Sequence, residues 1–303
     1  MVRVYVGEQV YAEVCEAVRR GGGVLSDPED AEVMVWMEGP SPRFTTLLGP
    51  QVRWVQLRSA GIDSWLTSGL LDPSLTWSNA TGCYARPVAE HALALMLGTA
   101  RRLHTVARAS RWQPEEKFAG ATLESATVMV VGAGGIGRRL IEMVRVLGAR
   151  SIAVTRSGRD VADADVSCGV DDWQDHLGAC DYLVLALPKS PSSVGMVNRE
   201  VLGRLPDHAW IVNVGRGETL VTDDLVAALE DGTVGGAALD VTDPEPLPDE
   251  HPLWRFPDVV VTPHAAVPLA SMLTSFGRRV EDNLIRYRHG QPLIGAFRST
   301  DPY

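Results

Sequence analysis

Short apolar runs rich in Val and Ile punctuate the chain at 3–6, 32–37, 53–57, 127–131, 151–155, 182–187, 209–214, 234–239 and 258–263, and longer segments of helical periodicity lie between them. The runs are continuous rather than alternating, which predicts strands buried on both faces. Helical spacers between such strands predict right-handed crossovers and a mostly parallel sheet, so the fold class is α/β. The segment 86–104, "RPVAEHALALMLGTARRLH", opens with Pro87, a favoured first helical residue, and stays largely apolar without another proline. It predicts a buried helix. A second helix is predicted from about 270 to 290, with Arg286, Arg288 and His289 at its negative end before Gly290. The first of these helices separates the early strands from the later ones, which places a domain junction near residue 95.

Just after that junction, "VVGAGGIGR" (130–138) ends an apolar run with glycines spaced G-x-G-x-x-G. Gly132 permits a sharp turn, Gly134 lets a backbone approach a pyrophosphate, and Gly137 lets the next helix pack on the strand. That helix presents Leu140, Ile141, Val144 and Leu147 on one face, and its first amides, those of Gly135 and Ile136 among them, face the phosphates. Strand, glycines, helix and second strand in this order predict a dinucleotide site rather than a bare turn. After the second strand, where a ribose-binding carboxylate is usual for NAD, the chain reads Thr155-Arg156-Ser157-Gly158-Arg159. Arg156, Ser157 and Arg159 suit a 2'-phosphate, which favours NADP with NAD still possible; the alternative is that both arginines are solvated loop charges and Asp160 bends inward.

Composition narrows the class. With 303 residues, 45% hydrophobic and 22% charged, the chain predicts about two ordinary globular domains, and no apolar run is long enough to span a bilayer. Glu8 and Glu13 interrupt any signal-peptide core, so the expected location is cytoplasmic. A net charge of -10 argues against nucleic acid as a partner. Cys15, Cys83, Cys168 and Cys180 are too dispersed for a disulfide scaffold or a metal knuckle, and no metal is expected.

Three polar residues fall at predicted strand ends, where open parallel sheets hold their ligands: Arg216 in "NVGRGETL", Glu245 in "LDVTDPEPLP" and His264 in "VTPHAA", with Asp240 beside them. Arg216 suits a fork on a substrate carboxylate that also polarises the adjacent carbonyl. His264 suits proton donation to the carbonyl oxygen as a hydride reaches the carbon, and Glu245 suits a partner favouring the imidazolium. Taken alone, Arg216 reads as well as a turn charge and His264 as a helix cap, and Glu245 in its Pro-rich loop reads more readily as a solvated carboxylate. Their joint occurrence favours catalysis. Cys83 and His91 lack an acidic partner nearby in sequence and read as structural, and His104, His176, His208, His251 and His289 read as surface groups.

These motifs, together with "SAGID" (59–63), "VAEHALALML" (88–97), "LALP" (185–188) and "HPLW" (251–254), give a sequence that resembles the D-isomer-specific 2-hydroxyacid dehydrogenase family over nearly its whole length. The resemblance implies two Rossmann-like or flavodoxin-like parallel-sheet domains with a cleft between them. They are a discontinuous substrate domain (1–95 plus 278–303) and a dinucleotide-binding domain (96–277), usually in a homodimer. By motif match Arg216, Glu245 and His264 fall on the family's catalytic residues. The Ala60 and Gly61 amides fall on the substrate carboxylate, Asp240 on the nicotinamide carboxamide region, and Pro188 at the cofactor border. The Arg-Ser pair is similar to the NADPH-dependent glyoxylate/hydroxypyruvate reductase branch, in which Trp36 would wall a small pocket.

The implied activity is hydride transfer from NAD(P)H to a small 2-oxo acid, giving a D-2-hydroxy acid. The alternatives are a nucleotide-sensing, corepressor-like binding protein on the same fold, or another family dehydrogenase such as phosphoglycerate dehydrogenase. Departures are Ser192 and Ser193 in place of a usual threonine, Pro268 where a hydroxyl residue is common, and the charged Arg58 before "SAG".

Overall fold

The computed structural model describes residues 1–112 and 120–298. In chain order its strands are β1 (Val2–Val6), β2 (Gly23–Leu25), β3 (Val33–Trp36), β4 (Trp54–Leu57), β5 (Thr76–Ser78), β6 (Thr127–Val131), β7 (Arg150–Thr155), β8 (Val166–Gly169), β9 (Tyr182–Leu185), β10 (Trp210–Asn213), β11 (Gly236–Leu239), β12 (Val259–Val261) and β13 (Ala296–Phe297). The α-helices are α1 (Ala12–Arg20), α2 (Pro42–Leu47), α3 (Asp63–Ser68), α4 (Ala85–Ala100), α5 (Leu103–Val106), α6 (Gly135–Val146), α7 (Arg199–Leu202), α8 (Thr222–Glu230) and α9 (Leu269–Arg288). Among the described residues no helix is long and apolar enough to cross a membrane.

The chain forms two compact units, Met1–Tyr84 with Pro268–Tyr303, and Ala85–Val267. The dividing points precede α4 and α9, so each helix stays whole within one unit, whereas the sequence set the boundaries inside them near 95 and 277. Residues 299–303 of the last expected span lie outside the described residues.

In the first unit the strand order is β2-β1-β3-β4-β5 with every pair parallel, and β13 adds antiparallel to β5. One face of this sheet is packed with aromatics. Phe44 meets Trp36 and Trp65 edge-on at 5.2 and 5.1 Å, and Trp77 at 5.7 Å. Helix α9 joins this unit through buried polar groups: Asn283 donates to Gln56 Oε1 at 2.8 Å and to the Ile294 carbonyl at 2.9 Å, and Arg279 donates to the Asn79 and Thr81 carbonyls. Such fully paired buried amides fix one register of helix on sheet, because a slip would leave each of them unsatisfied.

The second unit is a seven-stranded, wholly parallel sheet in the order β12-β11-β10-β9-β6-β7-β8. Every residue of β9, β10 and β11 is buried, which is why these strands read as unbroken apolar runs. Met129, Val131, Ile152, Leu183, Leu185, Ile211, Ala237 and Leu239 belong to one hydrophobic cluster with Trp173 and Leu177. The strand order reverses between β6 and β9, the crevice where doubly wound sheets bind ligands. The helix expected over 86–104 is in two pieces, because Arg102 turns left-handed (φ 50°) between α4 and α5.

Candidate active site

The glycines that close β6 do what their spacing predicts. Gly132 has φ +99°, a conformation costly for other residues, and a β-carbon at Gly137 would sit 2.6 Å from the Gly132 carbonyl oxygen and 2.8 Å from Val130 Cγ1. A β-carbon at Gly134 would meet nothing within 4 Å, so this face of the turn is open. The first helical bond of α6 runs from Arg138 N to the Gly134 carbonyl, which leaves the amides of Gly135, Ile136 and Gly137 ahead of it without a helical acceptor. About three turns of helix dipole aim these donors at the switch point. At the end of β7 the Thr155 hydroxyl is buried and has no hydrogen-bond partner, and Arg156, Ser157 and Arg159 follow it on the exposed loop. Open donors in a glycine cradle and an orphaned hydroxyl at the next strand end fit a nicotinamide dinucleotide.

The loop after β9 neighbours this turn. Ser193 braces it: its Oγ donates to the Pro188 carbonyl at 2.7 Å and accepts from Ser190 N at 2.8 Å. The neighbouring Lys189 holds Glu218 at 2.6 Å, tying this loop to the one after β10. There Arg216 is half-buried, with its carbonyl accepting from Asn213 Nδ2 at 3.0 Å and Thr219 Oγ1 at 2.7 Å, and its Nη1 donating to the Gly215 carbonyl at 2.7 Å. Gly217 lies so close to Thr242 that a β-carbon would run into the Thr242 carbonyl. The Arg216 loop therefore abuts the loop that carries Glu245.

Glu245 and His264 meet directly. His264 Nδ1 lies 2.7 Å from Glu245 Oε1, with the side chains 53% and 43% exposed. A carboxylate only accepts, so Nδ1 carries the proton facing Glu245, and Nε2 is the ring nitrogen not engaged by it. His264 has φ +52°, a backbone state that costs a non-glycine residue on the order of 1–3 kcal/mol and persists where the surroundings hold it.

Asp240 does the holding. At 2% exposure its Oδ1 accepts from Thr262 Oγ1 at 2.6 Å and Ala265 N at 2.8 Å, its Oδ2 accepts from Ala266 N at 3.1 Å, and its carbonyl accepts from His264 N at 2.9 Å. Burial pushes the Asp240 carboxyl up, but hydrogen bonds from His91, Thr262 and Ala265 outweigh it and hold the pKa down to about 2. A folded-state value below the ordinary 3.8 means that this carboxylate stabilises the fold above pH 4 and that the contribution disappears as pH falls towards 2. At about 1.4 kcal/mol per tenfold change in proton affinity, the gap corresponds to about 2 kcal/mol. Urea unfolding at stepped pH is expected to show this loss between pH 4 and 2, and to show it reduced by about that amount in Asp240→Asn; superimposable pH profiles would refute the assignment.

His91, expected to be structural for want of an acidic partner, has one in space: its Nε2 lies 3.3 Å from Asp240 Oδ1 and 3.1 Å from Thr262 Oγ1. Nothing local in the sequence signals it. His104, expected on the surface, has both ring nitrogens buried and packs edge-on against Trp210. In the first unit, Trp36 is 1% exposed, donates to the Gly39 carbonyl at 3.0 Å and packs on Phe44, so it serves the core where a pocket wall was expected. The turn bearing Ala60 and Gly61 is held from one side, by Asn79 Nδ2 on the Ala60 carbonyl at 3.1 Å and by Tyr84 on the Arg58 carbonyl at 2.7 Å. Pro268 begins α9 and accepts Met272 N through its carbonyl at 2.9 Å.

Residues 93–266 match the family model of the D-isomer specific 2-hydroxyacid dehydrogenase NAD binding domain. The chain belongs to this dehydrogenase family. It is an NAD(P)-dependent enzyme of the D-2-hydroxyacid class. Over 260 residues, 84% of each chain, this dehydrogenase is 42% identical to the Corynebacterium melassecola "Uncharacterized protein in proB 3'region". Its fold is that of an NADPH-dependent glyoxylate/hydroxypyruvate reductase from Sinorhizobium meliloti in complex with NADP and sulfate, with TM-score 0.81, 25% identity and full coverage of both chains. A family dehydrogenase from Xanthobacter autotrophicus in complex with NADPH and MES shares the fold at TM-score 0.83 and 24% identity over 98% of each chain.

Proposed function

We propose that this dehydrogenase is an NADPH-preferring reductase of a small 2-oxo acid of the glyoxylate or hydroxypyruvate kind, yielding the D-2-hydroxy acid, and that it works as a cytoplasmic homodimer. The observation that carries this reading is the edge of the second unit. Arg156, the glycine turn, Pro188, Arg216, Asp240 and His264 follow one another along the carboxyl ends of β7, β6, β9, β10, β11 and β12. Adjacent strands lie about 4.8 Å apart, so these groups form a continuous row suited to an extended dinucleotide with chemistry at one end.

When bound, the nicotinamide supplies the hydride. The protein has three tasks around it. Arg216 forks onto the substrate carboxylate and places positive charge beside the oxygen that becomes an alkoxide. His264 gives its Nε2 proton to that oxygen, while Glu245 holds the other ring nitrogen and so fixes ring orientation. Asp240 fixes the turn beneath His264. We assign to the Ala60 and Gly61 amides a share in holding the carboxylate, to the first unit the role of substrate domain and to the second that of dinucleotide domain. Preference for NADPH rests on Arg156, Ser157 and Arg159 standing where a carboxylate would repel a 2'-phosphate.

Steady-state oxidation of NADPH and NADH with a panel of 2-oxo acids tests the reading. Turnover of glyoxylate or hydroxypyruvate with NADPH is expected; cofactor binding without turnover of any 2-oxo acid would indicate a sensor instead. Arg156→Glu is expected to move the NADPH/NADH ratio of kcat/KM by about tenfold or more towards NADH, since it replaces a charge-assisted donor with a repelling carboxylate. A ratio that stays put would refute the phosphate assignment.

A further inference from the structure

We propose that His91 is a positioning residue for His264, acting through Asp240 and Thr262 from a different part of the chain; the inference rests on the proton-donor role proposed for His264. Proton directions in the cluster follow from its distances. Thr262 Oγ1 lies 2.6 Å from Asp240 Oδ1, and a carboxylate only accepts, so the hydroxyl proton points to Asp240. His91 Nε2 then faces two acceptors, the Thr262 oxygen at 3.1 Å and Asp240 Oδ1 at 3.3 Å, and must itself carry a proton. The side chains involved are 21% exposed at His91 and 2% at Asp240, so little water competes for these bonds.

The consequence reaches His264 along both sides of its peptide. Asp240 accepts His264 N through its carbonyl and the amides of Ala265 and Ala266 through its carboxylate, and Thr262, two residues before His264, also accepts His264 N through its carbonyl at 2.9 Å. His91 stands on α4 (Ala85–Ala100), a helix with seven buried residues, and so gives this clamp a fixed abutment. Without its donor, Asp240 loses one of the groups that aim its carboxylate, the Thr262 hydroxyl oxygen loses the donor that faces it, and the left-handed turn at His264 has less to hold it. Mispositioning of a catalytic group by a fraction of an ångström lowers turnover without removing the group.

A double-mutant cycle between His91→Leu and His264→Ala, with glyoxylate and NADPH, tests this. His91→Leu is expected to lower kcat about tenfold when His264 is present and less than about twofold when it is alanine, because the loss runs through the imidazole. His91→Gln, which keeps a donor, is expected to stay within about threefold of the parent. Equal losses in both backgrounds, or no loss beside His264, would overturn the proposal; a merely structural histidine gives the former. Should His91→Leu not fold, Thr262→Val is run through the same cycle with the same expectations. Full turnover by His264→Ala alone would strike the proton-donor reading itself, a separate failure.

Discussion

Replacing His264 with alanine is expected to cut kcat by about a hundredfold or more while leaving NADPH affinity within a few fold, because a positioned proton donor contributes about 10²–10⁴ to rate and the imidazole is assigned no cofactor contact. Its geometry makes the expectation sharp. Nδ1 is committed to Glu245 at 2.7 Å, so a single ring nitrogen is available for transfer. Titrating NADPH fluorescence separates binding from turnover, and single-turnover oxidation separates chemistry from product release. Turnover unchanged in the variant would remove His264 from the mechanism. A fall in NADPH affinity as large as the fall in kcat would show that the residue supports the cofactor turn instead.

Burial explains which parts of this architecture were readable in the sequence. β6, β7, β9, β10 and β11 sit between helical layers, so composition alone marks them as apolar runs, and their order with the glycine turn is enough to specify a doubly wound sheet. Gly23–Leu25, Thr76–Ser78, Val166–Gly169 and Ala296–Phe297 were not expected as strands, because two to four residues at or near a sheet margin carry no distinct run. The break at Arg102 had no glycine or proline to announce it. In the site, Arg216, Glu245 and His264 could be singled out because strand ends are where parallel sheets present chemistry. His91 could not, since its acceptors arrive from β11 and β12, far along the chain. Trp36 was expected at a pocket wall on the strength of the family resemblance alone, which does not say which face of β3 its ring takes, and here the ring turns into Phe44.

Arg216→Lys is expected to lower kcat/KM for the 2-oxo acid by about a hundredfold, and Arg216→Leu by about a thousandfold, or about 3 and 4 kcal/mol of transition-state stabilisation. The lysine variant keeps the charge, so the difference between arginine and lysine isolates geometry. Arg216 has its backbone carbonyl pinned by Asn213 and Thr219, and one guanidinium nitrogen is bonded to the Gly215 carbonyl, which fixes the plane in which its remaining donors lie. A lysine ammonium on a flexible stem can satisfy the Gly215 carbonyl or a carboxylate, but it cannot present two parallel N–H groups while held. Added guanidinium ion is therefore expected to restore part of the activity of Arg216→Leu in a saturable way, and to do little for Arg216→Lys, where the ammonium occupies the space. Near-parent kcat/KM in the lysine variant would show that charge alone suffices and that the fork has no part in binding the carboxylate. Unrescued loss in the leucine variant, together with altered unfolding, would place Arg216 in the packing of the loop against Thr242 rather than in catalysis.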